Sequence, residues 1–350
     1  MLWNKGNISE LLLEGKIIQQ KLTSPSCSKK KDSLAKAFGK LMKRGKVKAA
    51  MRLLSSSEAS ILSVHDKVST TNIEGTRTVL DELKAKHPLR NEVNPDAVLS
   101  EPERDFHPVV FECIDAEFIR KAALRTNGGA EPSGADASFW KRICTSFQLA
   151  SDDLCASLAL VAKKIATTYV DPNGLGSFTA CRLIALDKMP GVRPIGIGEV
   201  SRRIVSKAII SVVSDEIKEV AGTTQLCAGQ EAGCEVGVHS MRALFEDSSS
   251  EGAIFVDATN AFNLLNRQTT LLNVHMLCPS LAIALTNTYR NNSSLFIEGE
   301  ILLSCEGTTQ GDPLAMAMYA LGVVPLIRRL NHLARQLWFA DDASAGGTSY

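Results

Sequence analysis

The chain contains no Cys-x-x-Cys pair. Its nine cysteines are odd in number and scattered, so neither a disulfide framework nor a zinc site follows from their spacing. A reducing, intracellular setting is expected, cytoplasm or nucleus, with only the short Lys29–Lys31 run as a nuclear-type signal. The six histidines are dispersed and form no metal pair or catalytic dyad, and Ser-His-Asp chemistry has no support. No internal repeat is visible. No apolar leader with a cleavage site opens the chain, so secretion is not expected. The longest apolar run, Leu314 to Ile327, is too short to span a bilayer and holds Gly322 and Pro325; it reads as a buried helix, with no membrane partner.

Net charge is only +1 across 350 residues, but the charge is unevenly placed. Residues 1–50 carry twelve Lys or Arg against three acids, whereas residues 251–350 carry five Arg, no Lys and eight acids. A basic head suits phosphate binding and an acidic tail suits divalent metal. At 45% hydrophobic residues the chain can bury one large core or two medium ones.

The pattern predicts an α+β chain in three parts: a basic, largely helical extension and connector (1–110), a second region (111–250) and a third (251–350). Residues 1–33 read as a polar lead-in, and 34–54 as an amphipathic helix pair broken at Gly45. Residues 91–108, with Pro95, Pro102 and Pro108, read as a connector. Helices are expected at 115–125, 136–148, 151–170 and 204–220, with a sharp Gly128–Gly134 loop after the first. Arg182–Leu186 and Arg193–Ile197 read as paired strands. Ala253–Val256 reads as a buried strand, 262–277 and 280–290 as helices, and 295–303 as a hairpin around Gly299. Gln310-Gly311-Asp312-Pro313 opens a helix, with proline early, where a missing N–H costs least. Leu337–Ala340 reads as a strand, Asp341-Asp342 as its turn, and Ala343 onward as the return strand.

Three segments carry chemistry: Phe255-Val256-Asp257-Ala258-Thr259-Asn260-Ala261-Phe262, Gln310-Gly311-Asp312-Pro313-Leu314, and Phe339-Ala340-Asp341-Asp342. Two unit charges about 4 Å apart repel by roughly 4 kcal/mol at an effective dielectric near 20, so clustered carboxylates are poor structural elements unless a cation joins them. Asp152-Asp153 is a second acidic pair, read as a helix start or a solvated face. What distinguishes Asp257 and Asp341-Asp342 is an apolar strand before each and the Gln-Gly-Asp-Pro loop between them.

In this combination the chain resembles reverse transcriptases of the non-LTR retrotransposon and group II intron kind, over residues 115–347. The resemblance implies a polymerase right hand: helical fingers (111–250), then a palm (251–350) whose antiparallel sheet packs on helices. It implies RNA-directed DNA polymerisation with two Mg²⁺ ions, Mn²⁺ being a possible substitute. The metal ligands would be Asp257, Asp341 and Asp342, helped by the carbonyl of Ala258. Lys188, Arg193, Ala261, Phe262, Gln310 and Gly311 would bind the nucleotide, with Phe262 beneath the sugar and excluding a 2′-hydroxyl. RNA-dependent RNA polymerases tend to place an acid near here, where this chain has Ala261, Phe262 and Asn263. The implied partners are an RNA template, a DNA primer or target, and dNTPs. Gly129–Gly134 and Gln225–Gly233 resemble family segments upstream of the first aspartate. The family usually has Tyr at the position of Phe339, and often Pro where Asp187 precedes Lys188.

In the family the chain runs well past the Asp-Asp turn into the rest of the palm and a thumb; here it ends eight residues after Asp342. The expectation is therefore a truncated enzyme without a thumb, endonuclease or RNase H domain. The alternative is a non-catalytic remnant that at most binds nucleic acid. A group II intron maturase is a third option, which would need a downstream RNA-binding segment.

Overall fold

The computed structural model describes residues 9, 10, 13, 34–47, 50, 51, 61–68, 77–102, 104–129, 132–188, 190–248, 250–331 and 334–347. The chain divides into two compact units, Met1–Ala59 and Ser60–Tyr350. In the first, the helix Leu34–Lys43 ends at a turn in which Gly45 has φ +67°. The lead-in before Leu34, and most of the second helix of the expected pair, lie outside the described residues.

The second unit mixes α and β. Strands β1 (Ile61–Leu62), β4 (Cys181–Asp187), β7 (Ser293–Ile297) and β8 (Glu300–Ser304) form a mixed sheet in that order, with β5 (Val192–Gly198) paired to β4. The β4–β5 and β7–β8 pairs are antiparallel hairpins, whereas β4 and β7 run parallel. The β7–β8 turn has φ +44° at Glu298 and +89° at Gly299, the left-handed pair that a tight hairpin demands. A small ladder joins β2 (Lys67–Val68) to β3 (Arg77–Thr78). A second antiparallel sheet runs β6 (Gly252–Asp257), β10 (Asp342–Gly347), β9 (Arg335–Phe339).

Helices follow their caps. Asp115 accepts from Phe118 N–H and opens Ala116–Arg125, and Asp136 accepts from Phe139 N–H and opens Ala137–Thr145. Thr78 and Asp81 form a reciprocal capping box on Val79–Lys86. Asp152 lies in the first turn of Leu149–Thr167 and pairs with Arg120.

Several expected boundaries shift. The helix expected from 204 spans Val200–Ala221, because Arg202 and Arg203 in its first turns hide the apolar period. The helix expected over 262–277 is two, Ala261–Leu264 and Arg267–Leu277; between them Asn266 caps the second by accepting from Thr269 N–H. Ala253–Val256, expected to be a buried strand, is not buried: Ile254, Phe255 and Val256 are 66%, 72% and 51% exposed. The residues are apolar, but β6 is an outer strand of its sheet, paired only with β10 among the described residues.

The main core gathers Phe111, Ile119, Ile204, Leu277, Leu281 and Leu321. A second cluster, with Leu83, Leu183, Leu295 and Leu302, lies under the mixed sheet. Burying each such side chain stabilises by about 1.5–3 kcal/mol. Pro313–Leu330 is the helix expected over Leu314–Ile327, four residues longer than that run; contrary to the expectation from the shorter run it is long and apolar enough, by length and composition, to cross a membrane, while 61% of it is buried here as a core helix would be. Its Tyr319, Val323 and Ile327 form a third cluster with Ala261, flanked by Phe262 and Trp338.

Candidate active site

The three acids meet at one end of the β6–β10–β9 sheet. Asp342 is the register partner of Asp257 across the β6–β10 ladder and of Phe339 across β10–β9. Directly opposed residues of an antiparallel pair project from the same face, so Asp257, Asp342 and Phe339 share one face. The turn is Ala340–Asp341, and Asp342 begins β10 rather than belonging to the turn, a one-residue correction. The Ala258 N–H donates to the carbonyl of Asp341 at 3.4 Å, which ties the residue after the first acid to the second. Asp257 and Asp342 are exposed and Asp341 half-buried. Partial burial, and then the charges of Asp341 and Asp257, raise the Asp342 carboxyl above the usual carboxylate range.

From the acids, a run of backbone contacts leads to the other singled-out residues. Asn260, at φ +53°, turns the chain into Ala261–Leu264, placing Ala261 in the third cluster and the Phe262 ring on Tyr319, centroids 4.6 Å apart and 26° from parallel. The Thr308 N–H donates to the Phe262 carbonyl at 2.7 Å, and the Gly307 N–H to that of Leu265 at 3.0 Å. A Cβ on Gly307 would lie 2.2 Å from the Phe262 oxygen, so only glycine permits this approach. Three residues after Gly307, the Gln310 carbonyl accepts from Gly196 N–H at 2.8 Å. Gly311, at φ +113°, lies so close that a Cβ would come 2.4 Å from the Gly196 oxygen. The base of the β4–β5 hairpin is thereby docked on the Gln310-Gly311 loop.

Asp257, Ala258, Ala261, Phe262, Gln310, Gly311, Asp341 and Asp342 thus belong to one connected framework. Lys188 and Arg193 do not join it directly. Both are exposed at the turn end of the hairpin, where Lys188 N–H donates to the Gly191 carbonyl at 3.2 Å. The Gly128–Gly134 loop lies at the start of Val200–Ala221, with Ser133 Oγ donating to Glu199 at 2.8 Å; Ala130 and Glu131 are outside the described residues.

Two buried arginines hold this framework, and neither was singled out by the sequence. Arg202, 2% exposed, pairs with Asp312 and donates to the Thr179 carbonyl at 2.9 Å. Asp312 also caps Pro313–Leu330 by accepting from Leu314 N–H at 2.8 Å, so one ion pair anchors both the loop and its helix. Arg267 donates to the carbonyls of Gly307, Ser304 and Glu306 at 2.8, 3.0 and 2.9 Å. Burial pulls its pKa down to about 10. Arg202 lies in the first turn of its helix and Arg267 is the first residue of its own, and pattern reading assigns such cations to solvent.

The donor set is all oxygen and suits a hard cation. Among the described residues no three His, Cys, Asp or Glu side chains form a ready chelate. No known family model matches the chain, and no curated protein matches it.

Proposed function

We propose that this chain carries the polymerising centre of an RNA-directed DNA polymerase of the non-LTR retrotransposon or group II intron kind. The single observation supporting this reading is the direct opposition of Asp342 and Asp257 with Asp341 tied to Ala258. Like charges placed across a ladder cost stability, and an oxygen-seeking cation offsets that cost. In this reading Asp257, Asp341 and Asp342, with the Ala258 carbonyl, would hold two Mg²⁺ ions. Bound there, the pair supplies activation of the attacking primer hydroxyl and charge relief on the leaving diphosphate.

The remaining work falls to the chain itself. Phe262, backed by Tyr319, presents a flat wall against the sugar and disfavours a 2′-hydroxyl. Gln310 and Gly311, held against Gly196, offer backbone for close approach by the base pair. Lys188 and Arg193, at the exposed end of the hairpin, reach the triphosphate once the nucleotide bridges hairpin and sheet. Arginine can do so bidentately, whereas lysine acts as a point charge. The fingers-and-palm division and the RNA template, DNA primer and dNTP partners belong to the same reading.

Primer extension on an RNA template with Mg²⁺ and dNTPs is the test. Incorporation by the unaltered chain that disappears in Asp341→Ala supports the assignment. Absence of incorporation by the unaltered chain, with nucleic acid still bound, supports the remnant reading instead.

A further inference from the structure

The β9–β10 tip depends on a residue from outside the sheet. Thr224–Leu226 runs along the free side of β9: Trp338 N–H donates to the Thr224 carbonyl, and Leu226 N–H to the Trp338 carbonyl, both at 2.8 Å. This lays the Gln225 side chain, 0% exposed, beneath the turn. Its Oε1 accepts from Ala340 N–H at 2.9 Å, and its Nε2 donates to the Ala340 carbonyl at 3.2 Å. One side-chain amide therefore satisfies both backbone groups of the residue that precedes Asp341. Ala340 has φ +57°, a left-handed conformation that an alanine does not choose unaided. Asparagine is one methylene too short to span both groups, and an ionised glutamate has no donor for the carbonyl.

We infer that Gln225 is a positioning residue for the acidic cluster: by clamping Ala340 in its left-handed turn it sets where Asp341 leaves the chain and where β10 begins opposite Asp257. The activity arm of its test rests on the polymerase reading; the metal arm does not.

The full chain is compared with Gln225→Leu, Gln225→Glu and Asp342→Asn by Mn²⁺ titration and by primer extension, with thermal melting to establish folding. Outer residues that orient metal ligands typically change affinity or activity by about 10–100-fold when altered. Gln225→Leu is expected to weaken the Asp342-dependent Mn²⁺ site at least about tenfold and to lower kcat similarly, with KM for dNTP held within about twofold. Gln225→Glu supplies a readout that a packing role would not move. A protonated glutamic acid restores the donor and acceptor, so the ratio of its activity and Mn²⁺ affinity to those of the unaltered chain is expected to rise from about pH 8 to about pH 6. If Gln225→Leu does not fold, the glutamate variant alone decides.

Unchanged Mn²⁺ affinity and kcat in folded Gln225→Leu, or a flat ratio across pH in Gln225→Glu, overturns the assignment, as does a chain with no Asp342-dependent Mn²⁺ site. A chain that binds Mn²⁺ through Asp342 but extends no primer removes the polymerase reading and leaves Gln225 to be judged on metal affinity.

Discussion

Asp342 faces Asp257 directly across the β6–β10 ladder, with Asp341 one residue away in the turn. Burial first, then these two neighbours, raise the Asp342 carboxyl. The folded state therefore holds this proton more tightly than the unfolded chain does. The associated stabilisation is present at acid pH and is lost as pH rises through the raised value; at neutral pH ionised Asp342 opposes folding. Asp342→Asn is accordingly expected to be more stable than the unaltered chain at neutral pH in metal-free buffer, by roughly 0.2–1 kcal/mol, and so to melt higher. The gap should close as pH falls below the range in which aspartate ionises, where the aspartate is itself neutral. Added Mg²⁺ should raise the melting temperature of the unaltered chain more than that of the variant. Thermal melts over pH and Mg²⁺ concentration check all three.

The Phe262 ring rests on Tyr319. Tyr319 lies within electrostatic reach of the acids: burial, and then the charge of Asp341, push its hydroxyl up to about 12. Overpacking against a rigid wall costs roughly 1–3 kcal/mol, so Phe262→Val is expected to reduce discrimination against ribonucleotides by about five- to a hundred-fold. Tyr319→Leu should reduce it less, by loosening the ring rather than removing it. Single-nucleotide incorporation with paired ribo- and deoxynucleotides measures both; unchanged discrimination in Phe262→Val removes the role assigned to Phe262.

Arg202 and Asp312 form a buried pair that secures the Gln310-Gly311 loop. Breaking one side of such a pair strands a charge, typically at about 3–5 kcal/mol. Arg202→Met should therefore destabilise strongly in denaturant unfolding, and the double variant Arg202→Met/Asp312→Leu should recover a large part of the loss, less the helix cap that Asp312 provides. A double variant as unstable as the sum of the singles would show that the ion pair is not what holds the loop.

The basic head holds twelve of the chain's Lys and Arg within residues 1–50. If it binds phosphates, nucleic-acid affinity should fall with salt, and removal of these residues should flatten that dependence by roughly one unit of slope for each phosphate the head neutralises. Binding curves across a salt series compare the two; equal slopes show the head to be uninvolved.

Much of the layout was legible because the relevant signals were local. Gly299 in an apolar hairpin, proline after Gln310-Gly311-Asp312, and apolar strands ending in Asp257 and Phe339-Ala340 each announce a turn or an element end by residue type. What stayed hidden depended on partners distant in the chain. Arg202 reads as a solvated helix residue until Asp312 arrives from more than a hundred positions away, and Arg267 until the Ser304–Gly307 turn wraps it. Gln225 sits in a segment that stands out only by resemblance, and nothing nearby in the sequence reveals that Ala340 will need both its backbone groups satisfied. β6 misled in the other direction. An apolar run such as Ala253–Val256 is the usual mark of a central strand, yet here it is an outer strand whose residues face solvent.

That outer strand has a consequence for handling the protein. Gly252-Ala253-Ile254-Phe255-Val256 carries no charge, proline or lysine to discourage another chain from adding to it, and an exposed apolar edge is a template for aggregation. Its only guards are the acids at either end, Glu251 and Asp257, placed as gatekeepers are around a sticky segment. An Asp257→Asn control would remove one guard, and light scattering should show it clumping where the parent stays dispersed. Asp341, off the edge in the turn, is the cleaner position for an inactive control.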